Sequence, residues 1–492
     1  MAWIAVDAGT SVVKTVAFDS VGREIALARE KVEVLRPRAD FSEQSMDAIW
    51  NAVVSTLRTV VSRQKEGVEG VVITAQGDGC WLVDAEGCPT GNAILWNDGR
   101  ATSVVERWRE EGVIAKAFGI SGSVPYAGLP NAILNWLQHY QPDRLASARY
   151  ALTCNGWIFA QMTGRFVADL SDASNPFGDV KKRTYSEKLI QLYGAQEHKH
   201  LLPPIAEGPA IVEALTLRAA EELGIAAGTP VVMAPYDIVS TAYGAGAAQP
   251  GQACVILGTT ICAEALTSDL DLSAAPAGTT IALEDELYLR AMPTLTGCET
   301  LEWAVSVLGL AEIAELDAHA AKAQPGAGGV IFLPYLSPAG ERAPFLEPRA
   351  HGSFHGLTLL HKRAELARSV YEGLSFAIRE CLESAVKNIS EVRVCGGGAR
   401  SGFWCQMIAD VAGVTVLRPL ENEVGARGAF LFALKATGSV ESVAEGALKY
   451  PVKMDTFYPT PEIHKTYNTH FSTFQRRREI ARHQWMLDEV HG

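Results

Sequence analysis

No stretch of about 18 apolar residues occurs in the chain, so no membrane-spanning helix is expected. No basic segment precedes the first apolar run, and a signal peptide is not expected either. Positive charge is in short supply: 43 Lys and Arg stand against 56 Asp and Glu, a formal net charge of −13. A nucleic-acid partner would need a basic patch, so none is expected. Small anions are not excluded, because backbone amides and a metal ion can hold phosphates locally. Nine cysteines are present, but without a C-x-x-C pair, and their odd, scattered set reads as reduced thiols of a cytoplasmic protein. The histidines lack H-E-x-x-H or any paired ligand spacing, which argues against zinc. No G-x-S-x-G elbow appears.

What is present fits a globular chain with a sizeable core. It has 492 residues, 48% of them hydrophobic and 20% charged, a length of two to four domains. Residues 3–7 form an apolar run that stops at Gly9, and residues 12–19 resume as a second strand. Gly22 turns the chain into a third strand over 24–34. Strand–turn–strand is the wrong order for a Rossmann fingerprint or a Walker loop, both of which place a helix after the glycines. Helical spacing runs over 46–63, and 101–111 and 130–140 also read as helices. Residues 68–74 and 229–234 read as buried strands, and 171–178 as a loop by its Ser, Asn and Pro content. After a break at Gln249-Pro250-Gly251, the order apolar strand, Gly-Thr turn, strand returns over 253–266. This predicts a diverged duplication: a first domain over 1–246, a second over 247–440, and a helical tail over 441–492. The tail's charged stretch, 463–490, reads as a solvated surface helix.

Several polar groups sit at the ends of these strands. Asp237 follows a buried strand; it can act as a general base or cap a helix. Asp7 ends the first strand beside Gly9, where a carboxylate can hold Mg²⁺ through water or close a hairpin. Thr10, Ser11 and Lys14 then stand where hydroxyls and an ammonium can meet phosphates. Gly77-Asp78 and Asp98-Gly99-Arg100 can bind sugar hydroxyls or serve as turns. Tyr126 and Trp96 can line an apolar sugar face or pack in the core. Gly396-Gly397-Gly398-Ala399 lies between a strand and a helix, where glycines can let an adenosine lie flat on backbone.

Taken together, these segments resemble the FGGY carbohydrate kinases of the sugar kinase/Hsp70/actin superfamily, over nearly the whole chain. GGGARSGFWCQMIADVAG (396–413) is similar to a family signature, DAGTSVVKTVAFD (7–19) to the first phosphate motif and ILGTTICAE (256–264) to the second. LPNAILNWLQ (129–138) is a degraded form of another signature, without its usual Lys. The resemblance implies an α/β fold of two actin-like, ribonuclease H-like domains flanking a catalytic cleft, which close during the cycle. It implies ATP and Mg²⁺, with Asp237 as catalytic base and Asp7 at the metal. Thr10 and Ser11 would meet the γ-phosphate and Thr259 the β-phosphate region, with Lys14 and Gly258 also binding the cofactor. Gly397, Gly398 and Ser401 would hold adenosine, with Glu302 placed on the same nucleotide side. Gly77, Asp78, Asp98, Arg100 and Tyr126 would contact the acceptor. Glycerol kinases carry Arg-Glu, and D-xylulose kinases Met-His, where this chain has Gly77-Asp78. The Gln76–Gly79 turn and the GNAIL and DIVSTA stretches are most similar to L-xylulose and erythritol kinases. The implied partner is therefore a small open-chain pentulose or polyol, with neither membrane nor nucleic acid, and with a homodimer left open. A D-xylulose kinase or another sugar kinase of the family, or a non-catalytic nucleotide-binding actin-like protein, are the competing readings.

Overall fold

Two sheets organise the chain, and both start from the same device: an apolar strand, a tight turn and an antiparallel return. The computed structural model describes residues 1–64 and 67–487. In the first sheet the order is Val212–Ala214, Pro230–Met233, Val68–Ala75, Ala2–Ala8, Val12–Phe18, Glu24–Lys31. Ala2–Ala8 pairs antiparallel with Val12–Phe18 and parallel with Val68–Ala75. Pro230–Met233 extends the parallel part. The central strands are buried on both faces, which is why they read as continuous apolar runs rather than alternating ones. Asp7 is the only residue of Ala2–Ala8 that is not buried.

The second sheet repeats the pattern. Gln252–Leu257 pairs antiparallel with Ile261–Thr267 and parallel with Glu391–Cys395. Thr415–Pro419 continues in parallel and Met454–Phe457 closes the edge antiparallel. A hairpin followed by two parallel strands and an antiparallel edge thus occurs twice, as the repeated strand–Gly-Thr–strand order predicted.

The chain divides into two compact units, each assembled from separate segments. The first comprises Met1–Ala248, Ser268–Leu289 and Glu423–Pro451. The second comprises Gln249–Thr267, Arg290–Asn422 and Val452–Gly492. Helix Val424–Ala436 therefore belongs with the first unit, where it packs on helix Asp237–Gly244. The packing is backbone on backbone. A Cβ on Gly244 would fall 1.6 Å from the carbonyl oxygen of Val424, and one on Gly428 would fall 1.7 Å from that of Ser240.

Most helices form where spacing placed them, including Met46–Val61 and Pro130–Tyr140. Two segments differ. Within 171–178 the chain begins as a short helix, Leu170–Ser174, because Asp169 accepts the N–H groups of Ser171 and Asp172 and caps it. The charged tail is not merely solvated. Helix Pro461–Leu487 buries Tyr467, Phe471, Phe474, Ala481 and Trp485, a stripe of helical period beneath its charges. Phe376 meets the first three of these and Tyr335 meets Trp485. Residues 488–490 of the expected helix lie outside the described residues. None of the nine cysteines is in a disulfide, and only Cys88 is exposed. Among the described residues no helix is long and apolar enough to cross a membrane.

Candidate active site

In the first unit the polar groups gather at the carboxyl ends of the parallel strands. Asp237 is the first residue of helix Asp237–Gly244, and Tyr236 is the cap residue, making no side-chain cap bond. The capping role open to Asp237 is thus not the one it takes. Asp237 is half-buried as a residue, and its carboxyl is set deep among protein atoms. That setting pushes its pKa up to about 7. Burial is the main cause, and the charges of Asp7 and Asp78 add to it. The N–H groups of Ile238 and Gly77 bond to the carboxylate and pull the other way. Gly77 is required here, since a Cβ would sit 2.3 Å from the ring of Tyr236.

Asp7, Lys14 and Arg29 are cross-strand neighbours in three adjacent strands. Lys14 Nζ lies 3.6 Å from Asp7 Oδ2 and 3.2 Å from Glu423 Oε2. Arg29 donates to the other oxygen of Glu423. Two acids and two bases thus alternate, and Glu423, which is 4% exposed, holds both bases. Burial raises the pKa of Asp7; Lys14 lowers it and Glu423 raises it again. Burial works against the charge of Lys14, but Asp7 and Glu423 outweigh it and raise its pKa. The sequence reading missed Glu423, which follows Lys14 by some four hundred residues; only the fold brings them together.

Thr10 is enclosed in a ring of side chains. Its hydroxyl donates to Gln76 Oε1 at 3.0 Å and accepts from the indole of Trp96 at 3.0 Å. Gln76 in turn donates to Gln44, and Gln44 to the Thr10 carbonyl. Ser11, next to it, is exposed.

Asp78 holds a left-handed backbone, φ 56°, and its carboxylate is pinned from two directions. Tyr126 donates its hydroxyl to Oδ2, and Asn175 Nδ2 donates to Oδ1 at 3.1 Å. Asp98 and Arg100, expected at the acceptor, are instead enclosed and bonded to each other. Arg100 Nε meets Asp98 Oδ1 at 2.8 Å and its Nη2 meets Oδ2 at 2.9 Å. Glu43, the Ser42 N–H and the Phe41 ring take up more of the pair. Neither side chain is exposed, and the buried pair braces the loop while Arg100 Nη1 keeps no hydrogen-bond partner.

The second unit carries the other motifs. Gly258 and Thr259 form the turn between its first two strands, with Thr259 exposed. Gly396 follows the strand Glu391–Cys395, and residues Gly397–Arg400 make one tight helical turn. Gly398 is walled in by Trp404, Cys298 and Leu257, whereas Gly397 faces open space. Ser401 accepts the N–H of Trp404 and so caps helix Gly402–Ala412. Its hydroxyl donates at 2.7 Å to Asp317, which Tyr371 also contacts. Glu302 is exposed on helix Glu299–Val307. Asp317 was not singled out by sequence, because nothing in its local pattern marks it. Among the described residues no group of three or more His, Cys, Asp or Glu could hold a metal ion.

Comparison with known proteins agrees with this layout. Residues 2–244 match the model of the FGGY family of carbohydrate kinases, N-terminal domain, and residues 253–437 that of its C-terminal domain. The chain is 30% identical to an L-xylulose/3-keto-L-gulonate kinase of Escherichia coli (strain K12), over 96% of each chain. It is 32% identical to an erythritol kinase of Brucella abortus (strain 2308), over 89% of this chain and 87% of that one. Among solved structures, a ligand-bound xylulose kinase from Lactobacillus acidophilus shares the fold. Its TM-score is 0.91 at 22% identity, over 97% of this chain and 98% of that chain.

Proposed function

The chain belongs to the FGGY family of carbohydrate kinases and is a sugar or polyol phosphotransferase; from that premise we infer that it phosphorylates an open-chain pentulose or small polyol with ATP, L-xylulose or erythritol before others. The observation that carries the acceptor class is the pinned carboxylate of Asp78 near Asp237. A carboxylate only accepts hydrogen bonds, so it selects hydroxyl donors. Gly77 precedes it without a guanidinium, leaving the ring of Tyr236 against the backbone.

Asp237 receives the proton of the acceptor hydroxyl, its raised pKa placing it near the working pH of a general base. The hydroxyl oxygen bonds to the γ-phosphorus, the bond from that phosphorus to the bridging oxygen breaks, and ADP leaves. Positioning supplies most of the acceleration in such transfers. Thr10 and Ser11 are assigned to the γ-phosphate and Thr259 to the β-phosphate region, with Lys14 and Gly258 also assigned to the nucleotide. Gly397, Gly398 and Ser401 are assigned to adenosine. Asp7 is the residue that would hold Mg²⁺: burial and the like charge of Glu423 raise its pKa against the pull of Lys14, so a further cation would stabilise its charged form. An ion there would complete its shell with phosphate oxygens and water. When bound, Mg²⁺ supplies neutralisation of the phosphate charge. The free thiols fit a cytoplasmic setting.

ADP release measured across pentuloses, tetritols and pentitols tests the reading. The expected result is acceptor-stimulated release with L-xylulose or erythritol above the rest; no stimulation by any of them overturns it. The adenosine assignment has its own test. Gly397 is exposed and meets nothing at the Cβ position, so Gly397→Val is expected to leave the melting temperature unchanged. It should raise the KM for ATP by at least about tenfold, the equivalent of 1.4 kcal/mol. An unchanged KM would remove Gly397 from the nucleotide platform.

A further inference from the structure

Asn175 has a task that its bond to Asp78 does not exhaust. Because a carboxylate can only accept, the amide nitrogen of Asn175 must be the atom facing Asp78 Oδ1, at 3.1 Å. That fixes the other end of the amide. Asn175 Oδ1 is an acceptor directed away from that bond, one amide group's width from it. Asn175 is 4% exposed, and this oxygen is buried with no hydrogen-bond partner. Buried acceptors without partners are uncommon and costly. In the same short segment Asp172 Oδ1 is also buried without a partner.

We propose that Asn175 Oδ1 accepts a hydrogen bond from a hydroxyl of the acceptor substrate, adjacent to the hydroxyl that Asp78 receives, so that the pair requires two neighbouring hydroxyl groups. This rests on the assignment of the Asp78 region to the acceptor. Its structural basis is the division of labour within one side chain: the nitrogen fixes Asp78, and the oxygen reads the substrate. Tyr126 holds the other oxygen of Asp78, so the carboxylate cannot swing to satisfy a substrate that lacks one of the two hydroxyls. Sites built to bond a hydroxyl discriminate strongly against analogues without it, because their own polar group is left unpaired.

The test is a cycle between protein and substrate. kcat/KM is measured for the wild-type protein and for Asn175→Ala with erythritol, L-xylulose and each of their monodeoxy analogues. Asn175→Ser, which keeps a small polar group, is measured in parallel, with melting temperatures to establish folding. In the wild-type protein, deleting the hydroxyl read by Asn175 is expected to cost roughly 10–100-fold. In the alanine and serine variants the same deletion should cost less than about threefold, while the KM for ATP stays within about twofold. A deoxy penalty of equal size in wild type and both variants, at every position, overturns the inference. So does an unchanged KM for the parent acceptors in both variants. A wild-type protein that phosphorylates none of the parent compounds instead overturns the functional reading on which the inference stands.

Discussion

Asp237→Asn is expected to lower kcat by about 10²–10⁴-fold, the contribution of a positioned general base, and at the same time to raise the melting temperature. The two effects have one cause. Burial first, and the neighbouring charges of Asp7 and Asp78 next, hold the native carboxyl near pKa 7 against an ordinary value of 3.8. Between those two values the native state keeps a proton that the unfolded state releases, so this group's contribution to stability falls as pH rises and levels off above about 7. Holding that proton costs the native state on the order of 4 kcal/mol at most, and a neutral amide is relieved of it. The gain in melting temperature of Asn over Asp should therefore grow from pH 4 to pH 7 and stay constant above. Thermal unfolding of both proteins at pH 5 and pH 8 measures this; a gain that is larger at pH 5 contradicts it. For the wild-type protein, kcat/KM should fall on the acid side of about pH 7, by about tenfold per unit. A profile flat down to pH 5 would mean that another group takes the proton.

Gly428→Val is expected to abolish the folded first unit. The substituted Cβ would lie 1.7 Å from the Ser240 carbonyl oxygen, and 2.8 Å from the Gly244 nitrogen. Both are backbone atoms of the facing helix, so no rotamer change gives way. The two helices would have to separate, which breaks the burial that joins Val424–Ala436 to the sheet. Overpacking commonly costs about 1–3 kcal/mol; a backbone collision of this depth is placed above 4 kcal/mol, the extreme tail of single substitutions. Gly446→Ala makes the contrast. Gly446 sits in helix Val443–Lys449, and its Cβ would meet only ordinary contacts, the nearest at 3.5 Å. Alanine there should stabilise by about 0.5–1 kcal/mol through helix propensity. Soluble yield and urea midpoints separate the two outcomes, and a Gly428→Val protein with a wild-type midpoint would rule out the close helix contact.

The sequence made the strands and hairpins legible because each is local. An apolar run, a Gly-containing turn and a β-branched return fall within twenty residues of one another at both ends of the duplication. Asp7 and Asp237 were legible for the same reason, as polar residues closing apolar strands. Glu423, Asn175 and Asp317 were not, since each acquires its meaning from a partner 54 to about four hundred positions away. Asp98 and Arg100 were legible as charged turn residues but not as a bonded pair. Turn residues with charge look like ligand contacts in sequence, but their geometry closes them on each other, with Glu43 as a third member that sequence spacing does not reveal. The tail was read from its charges, and its buried aromatic stripe shows that a helix can be highly charged and still contribute a packed face.

The first unit is assembled from three stretches of chain, the last of which begins at Glu423. On a ribosome this has a temporal meaning. Asp7 and Lys14 leave the exit tunnel more than four hundred residues ahead of the carboxylate that pairs with Lys14, roughly 20–80 s at ordinary elongation rates of 5–20 residues per second. For the later part of that interval, once it has been made, helix Asp237–Gly244 has no partner for the face that Val424–Ala436 will cover. The first unit is therefore completed only after Arg290–Asn422 of the second unit has been made.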